Sequence, residues 1–150
     1  MALWRLYYHL VWTTKERQPL IVSEREPDLY SYIIGKSNAM RCIVHAIGGM
    51  EEHIHLIVSI PPTLAIAEFV KKIKGSSAYQ FNQESPPNTA KFGWQRGYGV
   101  FSLGGKQLEN AIAYVQNQKQ HHTQGTIVAS LERADAEDNP PPEVQLQESS

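Results

Sequence analysis

The sequence contains only one cysteine, Cys42, among 150 residues. A single thiol excludes a disulfide framework and any zinc site built from several cysteines, and it fits a reducing cytoplasm. Charged residues are also scarce, at 19% of the chain. The longest stretch without one extends from His53 to Ala67 and contains two histidines and two prolines, whereas a membrane-spanning helix needs about 20 apolar residues. We therefore expect no membrane-spanning helix.

The N-terminal segment, MALWRLYYHLVW, runs from an early arginine directly into aromatic residues. Because it lacks a small-residue cleavage site, we expect no signal peptide. Together with the single cysteine, this favours a cytoplasmic protein.

Charge is distributed unevenly along the chain, although the net charge is −1. Residues 1–122 carry thirteen Lys and Arg against nine Asp and Glu, while residues 123–150 carry one Arg against six acidic residues. The second segment also contains three consecutive prolines, few aromatic residues and no sustained periodicity, which is typical of a tail. The sequence therefore predicts one folded domain over residues 1–122 and an acidic, proline-containing C-terminal tail over residues 123–150.

Hydrophobic patterning predicts alternating strands and helices within the domain. Runs of aromatic and branched residues predict strands at Trp4–Trp12, Arg41–Gly48, His53–Ile60 and Trp94–Leu103. Apolar residues at helical spacing predict helices at Pro27–Met40, around Ile66–Ile73 and at Lys106–His122. This order favours an α+β fold of the split βαβ, ferredoxin-like type, with a four-stranded antiparallel sheet and helices packed on one side.

His53 and His55 form the most distinctive local pattern. They are two residues apart on a predicted strand, so both side chains project from the same face, as two ligands of one metal ion would. The neighbouring positions are apolar, and imidazoles without partners would be costly there. We therefore expect the pair to have a partner, although the same tripeptide also occurs in ordinary strands.

An uncharged polar stripe marks the last predicted helix. Asn110, Tyr114, Asn117, Gln118 and His121 follow spacings of three and four residues and so lie along one face. An ordinary solvated face would explain polar residues here, but such faces usually carry Lys and Glu. A phenol can form a covalent phosphoester and an amide oxygen is a hard metal ligand, so Tyr114 and Gln118 are a candidate nucleophile and a candidate ligand.

These patterns and their surroundings resemble the HUH-type single-tyrosine transposases of the smallest insertion sequences, the IS200 group, and their relatives associated with repetitive extragenic palindromes. The similarity extends over residues 7–122 and leaves the acidic tail uncovered. Five segments carry it in order: YYHLVWTTKERQPLI at Tyr7–Ile21, GGMEEHIHLIVSIPP at Gly48–Pro62, KKIKGSSAYQFN at Lys71–Asn82, FGWQRGYGVFSL at Phe92–Leu103 and AIAYVQNQKQHH at Ala111–His122.

The resemblance implies a catalytic role for four residues. His53 and His55 would be the metal ligands of the histidine-hydrophobe-histidine motif, Gln118 the third protein ligand, and Tyr114 the nucleophile. The metal would be Mg²⁺ or Mn²⁺. Members of this family cleave single-stranded DNA at hairpin-flanked element ends through a 5′-phosphotyrosine intermediate and rejoin it, and they form homodimers with composite sites. We expect the same activity, partners and assembly here.

Residues around this set have supporting roles in the same interpretation. Asn117 and His121 are expected beside the metal ligands without binding the metal. Phosphate contacts are expected from basic residues of the domain, namely Lys15, Arg17, Lys71, Lys72, Lys74 and Arg96.

Two other interpretations remain open. The protein could bind DNA hairpins with this fold but without catalysis, for example after domestication by its host. It could also be an unrelated metal-dependent hydrolase built on His53, His55 and either His9 or His45, with zinc. A structure in which Gln118 and Tyr114 lie far from the histidine pair would favour the hydrolase.

Overall fold

A four-stranded antiparallel sheet forms the centre of the computed structural model, which describes residues 2–135 and 137–143. The strands are β1 (Tyr7–Thr13), β2 (Ile43–Met50), β3 (His53–Ser59) and β4 (Gly99–Leu103). The α-helices are α1 (Glu26–Ala39), α2 (Ile66–Glu84), α3 (Leu108–Gln116) and α4 (Gln118–Gln124). The strands lie in the spatial order β2-β3-β1-β4. The predicted α+β fold with a four-stranded antiparallel sheet is therefore confirmed.

The larger core lies between one face of the sheet and the helices α1 and α2. Leu10 of β1 pairs with Leu56 of β3, and Trp12 pairs with Ile54. Because side chains alternate along a strand, these four residues share one face, where they are fully buried against apolar residues of α1 and α2. Burial of each such side chain contributes about 1.5–3 kcal/mol.

The opposite face of the sheet is covered by α3. Val115 of this helix packs against Ala46 and Ile57 in a second, smaller core. The expectation that the helices pack on one side of the sheet is therefore wrong for α3. The apolar side of α3 needs a surface to cover it, and α1 and α2 already occupy the first face.

Gly48 allows α3 to approach the sheet. A Cβ at this position would lie 2.1 Å from the carbonyl oxygen of Val115, so any larger residue would push the helix away. Gly48 pairs with His55 in the β2-β3 ladder. The close approach therefore brings α3 directly beside the histidine pair.

Several elements differ in extent from the prediction: β1 begins at Tyr7 instead of Trp4, and α2 continues to Glu84. The last predicted helix is interrupted at Asn117, whose backbone (φ −104°, ψ 23°) separates α3 from α4. The last strand begins at Gly99 instead of Trp94, which forms only an isolated bridge with Thr14. Across the described part of the chain, every helix is too short or too polar to cross a membrane.

The C-terminal segment, residues 126–135, returns to the sheet within the stretch that was predicted to be a tail. It contains a short 3-10 turn, Ala129–Glu132, and Asp135 forms an isolated antiparallel bridge with Tyr98 beside β4. The remainder of the predicted tail includes residues 136 and 144–150, which lie outside the described residues.

Candidate active site on the second face of the sheet

His53 and His55 lie side by side on the face that α3 covers. Their ring centroids are 5.0 Å apart, and their exposed fractions are 3% and 0%. Both imidazoles are therefore buried on the same face of the sheet, as the alternation of strand side chains predicted. Buried polar atoms need partners, so the neighbours of each nitrogen determine what the pair can do.

The Nδ1 atom of each imidazole has a partner within hydrogen-bond distance. His53 Nδ1 donates to Glu52 Oε1 at 2.7 Å, and His55 Nδ1 lies 2.7 Å from Nε2 of His9. The Nε2 atoms of both rings face a common space, where both contact the same carboxylate oxygen of Glu132. Support of this kind at Nδ1 is typical of histidines that bind a metal through Nε2.

Gln118 enters the same space from the start of α4. Its Oε1 atom lies 3.2 Å from Nε2 of His53 and 3.1 Å from Nε2 of His122. The side chain is 1% exposed, and its Nε2 atom has no hydrogen-bond partner among the described residues. Burying an amide N–H group without a hydrogen-bond partner costs free energy, which a strong interaction of the amide oxygen would offset.

Tyr114 brings its phenol to the site from α3. The hydroxyl donates to Glu132 Oε1 at 2.6 Å and accepts from the backbone N–H of Val128 at 2.9 Å. The ring stacks on His121 at 4.7 Å and lies 6.1 Å from the ring of His55. Burial, together with the hydrogen bond to Glu132, raises the pKa of Tyr114. In this arrangement the side chain is a neutral phenol.

Glu132 connects the histidines to the tyrosine. Its Oε2 atom accepts from His55 Nε2 at 2.5 Å and lies 3.3 Å from His53 Nε2, while Oε1 accepts from Tyr114. Partial burial acts to raise the pKa of this carboxyl, but hydrogen bonds from His53, His55 and Tyr114 outweigh burial and hold the pKa far below its usual range. Glu132 is therefore an anion at the centre of the site.

The pKa values of the two histidines of the pair shift in opposite directions. Burial is the largest influence on both and lowers the pKa of His55 overall. For His53, hydrogen bonds with Glu132, Glu52 and Gln118 outweigh burial, and the pKa is raised. Burial also lowers the pKa of His9 to about 4. His55 and His9 are therefore neutral near pH 7, whereas a metal ion at His53 would compete with a proton.

The donor atoms around this space fit a divalent cation. One ligand atom each from His53, His122 and Glu132 lies within 4.8 Å of the others, and Gln118 directs its amide oxygen to the same place. Imidazole, amide and carboxylate donors suit Mn²⁺, and the oxygen atoms among them suit Mg²⁺. The residues present therefore fit the kind of ion that the sequence interpretation implies.

The other histidines and Asn117 have different surroundings. His121 stacks on Tyr114 and pairs with Thr126 Oγ1 at 2.8 Å. His122, to which the sequence interpretation gave no role, belongs to the group of donor atoms: its Nε2 atom lies 3.1 Å from Gln118 Oε1 and 3.6 Å from Glu132 Oε1. Asn117 is exposed, and its backbone carbonyl accepts from the N–H of His121. His45 pairs with Ser59 and is absent from the contacts of the site.

Three of the predicted DNA contacts lie on neighbouring loops. Lys15 and Arg17 are exposed in the 3-10 turn that follows β1. Arg96 is exposed in the loop before β4, and the Thr14–Trp94 bridge joins the two loops. Both loops lie at the end of β1 that pairs with His53.

The three predicted lysine contacts of α2 are not equivalent. Lys71 and Lys72 are exposed. Lys74 is half-buried and donates to the carbonyl oxygens of Gln95 and Gly97 at 2.6 and 3.0 Å. Lys74 therefore fixes the loop that carries Arg96, and its ammonium group is already engaged.

Sequence reasoning missed Glu132, Glu52 and His122. Glu132 lies 77 residues from His55, in a segment whose composition predicted a tail, so no local pattern pointed to it. Glu52 precedes the histidine motif directly, and a carboxylate beside a candidate metal ligand is a signal that could have identified it. His122 follows Gln118 by four residues, which is one helical turn.

Known proteins resemble this chain over most of its length. A family model described as "Transposase IS200 like" matches residues 2–118. The ISDra2 transposase TnpA of Deinococcus radiodurans is 28% identical over 121 residues, which span 77% of this chain and 85% of that protein. The transposase for insertion sequence element IS200 of Salmonella typhimurium is 23% identical over 126 residues, which span 81% of this chain and 82% of that protein.

Solved structures share the fold. A crystal structure of a Deinococcus radiodurans R1 protein assigned as a transposase matches with a TM-score of 0.63 and 26% identity, over 78% of this chain and 93% of that chain. A REP-associated tyrosine transposase bound to a REP hairpin matches with a TM-score of 0.60 and 14% identity, over 85% of this chain and 76% of that chain. At 14% identity the second similarity shows the fold alone.

Proposed function

Because this chain belongs to the IS200-like transposase family, we propose that it cleaves and rejoins single-stranded DNA through a covalent bond to Tyr114. One observation carries the proposal: the phenol of Tyr114, the imidazoles of His53 and His55 and the amide of Gln118 meet in one place on one chain. A nucleophile beside a set of metal-binding side chains is what phosphodiester cleavage needs.

In this proposal His53 and His55 hold Mg²⁺ or Mn²⁺ through Nε2, and Gln118 holds it through Oε1. Such an ion would polarise the scissile phosphodiester and offset the negative charge that develops in the transition state. The protein keeps the ligands in place: Glu52 fixes the ring of His53 through Nδ1, His9 supports the ring of His55, and burial excludes water from both.

Tyr114 performs the covalent step. Its Oη atom attacks the phosphorus and forms a bond to it, while the bond from phosphorus to O3′ of the upstream fragment breaks and the phosphate stays on the 5′ end of the downstream fragment. The electron pair of that bond remains on O3′, which takes up a proton, and the phenol loses one. A 3′-hydroxyl can reverse the step and restore a phosphodiester. The number of phosphoesters is conserved throughout, so no nucleotide cofactor is required.

The phenol must change its partners before it reacts. The ordinary pKa of tyrosine is about 10, and in the present arrangement the pKa of Tyr114 is raised further. The hydroxyl is engaged by Glu132 and by the N–H of Val128. We infer that a DNA phosphate displaces these bonds, so that Oη faces the phosphorus instead of the carboxylate of Glu132.

The proposed substrate is single-stranded DNA beside a hairpin. The REP-associated relative is bound to a REP hairpin, and this chain exposes Lys15, Arg17 and Arg96 on neighbouring loops where phosphates could be bound. A homodimer remains part of the proposal. Each protomer would carry a full set of groups, since Tyr114 and the histidines of one chain already meet.

The geometry of the described residues argues against both alternative interpretations. Gln118 lies 3.2 Å from His53, and Tyr114 lies beside His55, whereas the hydrolase requires both to be remote. His9 supports His55 from behind and His45 pairs with Ser59, so neither joins the Nε2 atoms of the pair. A non-catalytic hairpin-binding protein would have no need of the phenol at this position.

The decisive experiment is a test for a protein-DNA adduct. Full-length protein is incubated with a labelled single-stranded oligonucleotide that carries a hairpin, in Mn²⁺ or Mg²⁺, and adducts are separated in denaturing gels. We expect an adduct with the natural protein and with the control Tyr79→Phe, whose ring is 66% exposed on α2, and none with Tyr114→Phe. An adduct in Tyr114→Phe would refute the role of this residue. Tight hairpin binding without any adduct would favour the non-catalytic interpretation.

A further inference from the structure

The three ligands in the proposed function, His53, His55 and Gln118, are uncharged when they bind a cation. Mg²⁺ and Mn²⁺ are hard cations that are usually bound with the help of carboxylates. Glu52 does not supply one to the common space, because its carboxylate binds Nδ1 of His53, on the far side of that ring. Within the site, the carboxylate that faces the Nε2 atoms is Glu132.

We propose that Glu132 is a fourth protein ligand of the divalent cation, supplied by the C-terminal segment. This inference rests on the proposed function, and it concerns a residue beyond the segment 2–118 that the family model matches. Adjacent ligand atoms around a cation with bonds of 2.0–2.1 Å lie about 3 Å apart. The distances from Glu132 Oε2 to the two Nε2 atoms, 2.5 and 3.3 Å, bracket this value, so a small shift of the carboxylate makes room for the cation.

Specific contacts hold the C-terminal segment in this position. The backbone N–H of Val128 donates to the hydroxyl of Tyr114, and Asp135 bridges to Tyr98. A Cβ at Gly99 would lie 2.1 Å from the carbonyl oxygen of Arg133, so a glycine on β4 leaves space for this segment. Glu132 therefore reaches the site through backbone packing on both sides of it in the chain.

The negative charge of Glu132 and the contacts around it also suit a metal ligand. The second oxygen of Glu132 is held by the hydroxyl of Tyr114, which leaves Oε2 directed at the histidines. Gln118 is almost fully buried with an amide nitrogen that has no partner among the described residues. The buried amide oxygen of Gln118 contacts His53, and the carboxylate of Glu132 contacts both His53 and His55. Together they provide two oxygen donors for a cation beside the histidine pair.

The test measures binding of Mn²⁺ alone to the full chain, without DNA. Isothermal titration calorimetry gives the affinity, and the electron paramagnetic resonance signal of Mn²⁺ reports its ligands. Glu132→Gln keeps the shape and removes the charge, and we expect at least tenfold weaker binding with an altered resonance signal. Glu137→Gln is the matched control, because Glu137 is an exposed acid five residues further along, and its affinity should equal that of the natural protein.

Unchanged affinity in Glu132→Gln overturns the inference, and so does tighter binding, which would mean that the carboxylate occupies the place of the cation. Glu132→Asp keeps the charge on a shorter side chain and should bind more tightly than Glu132→Gln. The variant His55→Ala tests the metal site of the proposed function separately from the role of Glu132. If His55→Ala loses Mn²⁺ and Glu132→Gln keeps it, only the inference fails. If His55→Ala binds Mn²⁺ with the affinity of the natural protein, His55 is not a ligand and the metal site of the proposed function is wrong too.

Discussion

The carbonyl oxygen of Val115 lies so close to Gly48 that a Cβ on the glycine would be 2.1 Å away. Val115 is the buried anchor of α3, and Tyr114 is the residue before it. The distance between the candidate nucleophile and the histidine pair is therefore set by a missing side chain on β2. The packing of the second core and the chemistry of the site depend on the same contact.

Replacing Gly48 with alanine should displace α3. The added methyl group meets backbone atoms that cannot rotate away, so we expect destabilisation of about 1–3 kcal/mol and loss of the covalent adduct, because Tyr114 moves with the helix. Chemical denaturation measures the first effect and the denaturing gel the second. Gly75→Ala is the control: a Cβ there meets nothing within 4 Å in α2, and the change should stabilise the protein by about 0.5–1 kcal/mol. Natural stability and activity in Gly48→Ala would contradict this account of the docking.

Replacing Gly99 with alanine should release the C-terminal segment. The new Cβ would lie 2.1 Å from the carbonyl oxygen of Arg133 and 2.9 Å from the side chain of Val11 in β1. Because β1 is paired with the whole of β4 while the C-terminal segment forms only an isolated bridge, the segment should be the part that moves. Trypsin should then cleave after Arg133 faster than in the natural protein, as mass spectrometry of a digestion time course would show. Gly35→Ala, with open space around its Cβ, should leave the cleavage rate unchanged. Equal rates in Gly99→Ala and the natural protein would mean that the segment is held elsewhere.

The position of Tyr114 predicts that each chain uses its own nucleophile. The rings of Tyr114 and His55 lie 6.1 Å apart within one protomer, whereas the composite sites implied by the family resemblance would pair groups of different chains. A mixture of Tyr114→Phe and His55→Ala proteins should therefore form no adduct, even after incubation long enough for subunits to exchange. Mixing either variant with the natural protein should still give one. Adduct formation in the mixture of the two variants would show that the nucleophile crosses between chains.

Local sequence patterns predicted the parts of the site that local geometry determines. His53 and His55 share a face because strand residues alternate, and Tyr114 and Gln118 converge because helical neighbours are four residues apart. These relationships hold within one element and need no knowledge of the fold. The helix break at Asn117 does not remove Gln118 from the candidate site, because its Oε1 atom still contacts His53.

The features that the sequence did not reveal depend on how distant segments pack. The assignment of α3 to the second face follows from competition for space on the sheet, which no single segment encodes. Glu132 approaches His55 from 77 residues away, in a segment that was included in the predicted tail because the residues after it are acidic and contain three consecutive prolines. Its position depends on Gly99, whose importance is visible only when β4 and the C-terminal segment are seen together.

Lys74 and Arg96 should differ in their effects, although sequence patterning grouped both with the DNA contacts. Lys74→Ala removes two hydrogen bonds to the carbonyl oxygens of Gln95 and Gly97, so we expect a loss of about 1 kcal/mol in the free energy of unfolding. Arg96 is exposed, and Arg96→Ala should leave the stability unchanged.

The salt dependence of DNA binding separates the two roles. Each phosphate contact on single-stranded DNA contributes about 0.7 to the slope of log affinity against log salt concentration. We expect Arg96→Ala to reduce the slope by about this amount in fluorescence anisotropy titrations. Lys74→Ala should weaken binding through the displaced loop with little change in slope, because its ammonium group already binds two carbonyl oxygens. A slope reduced equally by both substitutions would place Lys74 on the DNA after all.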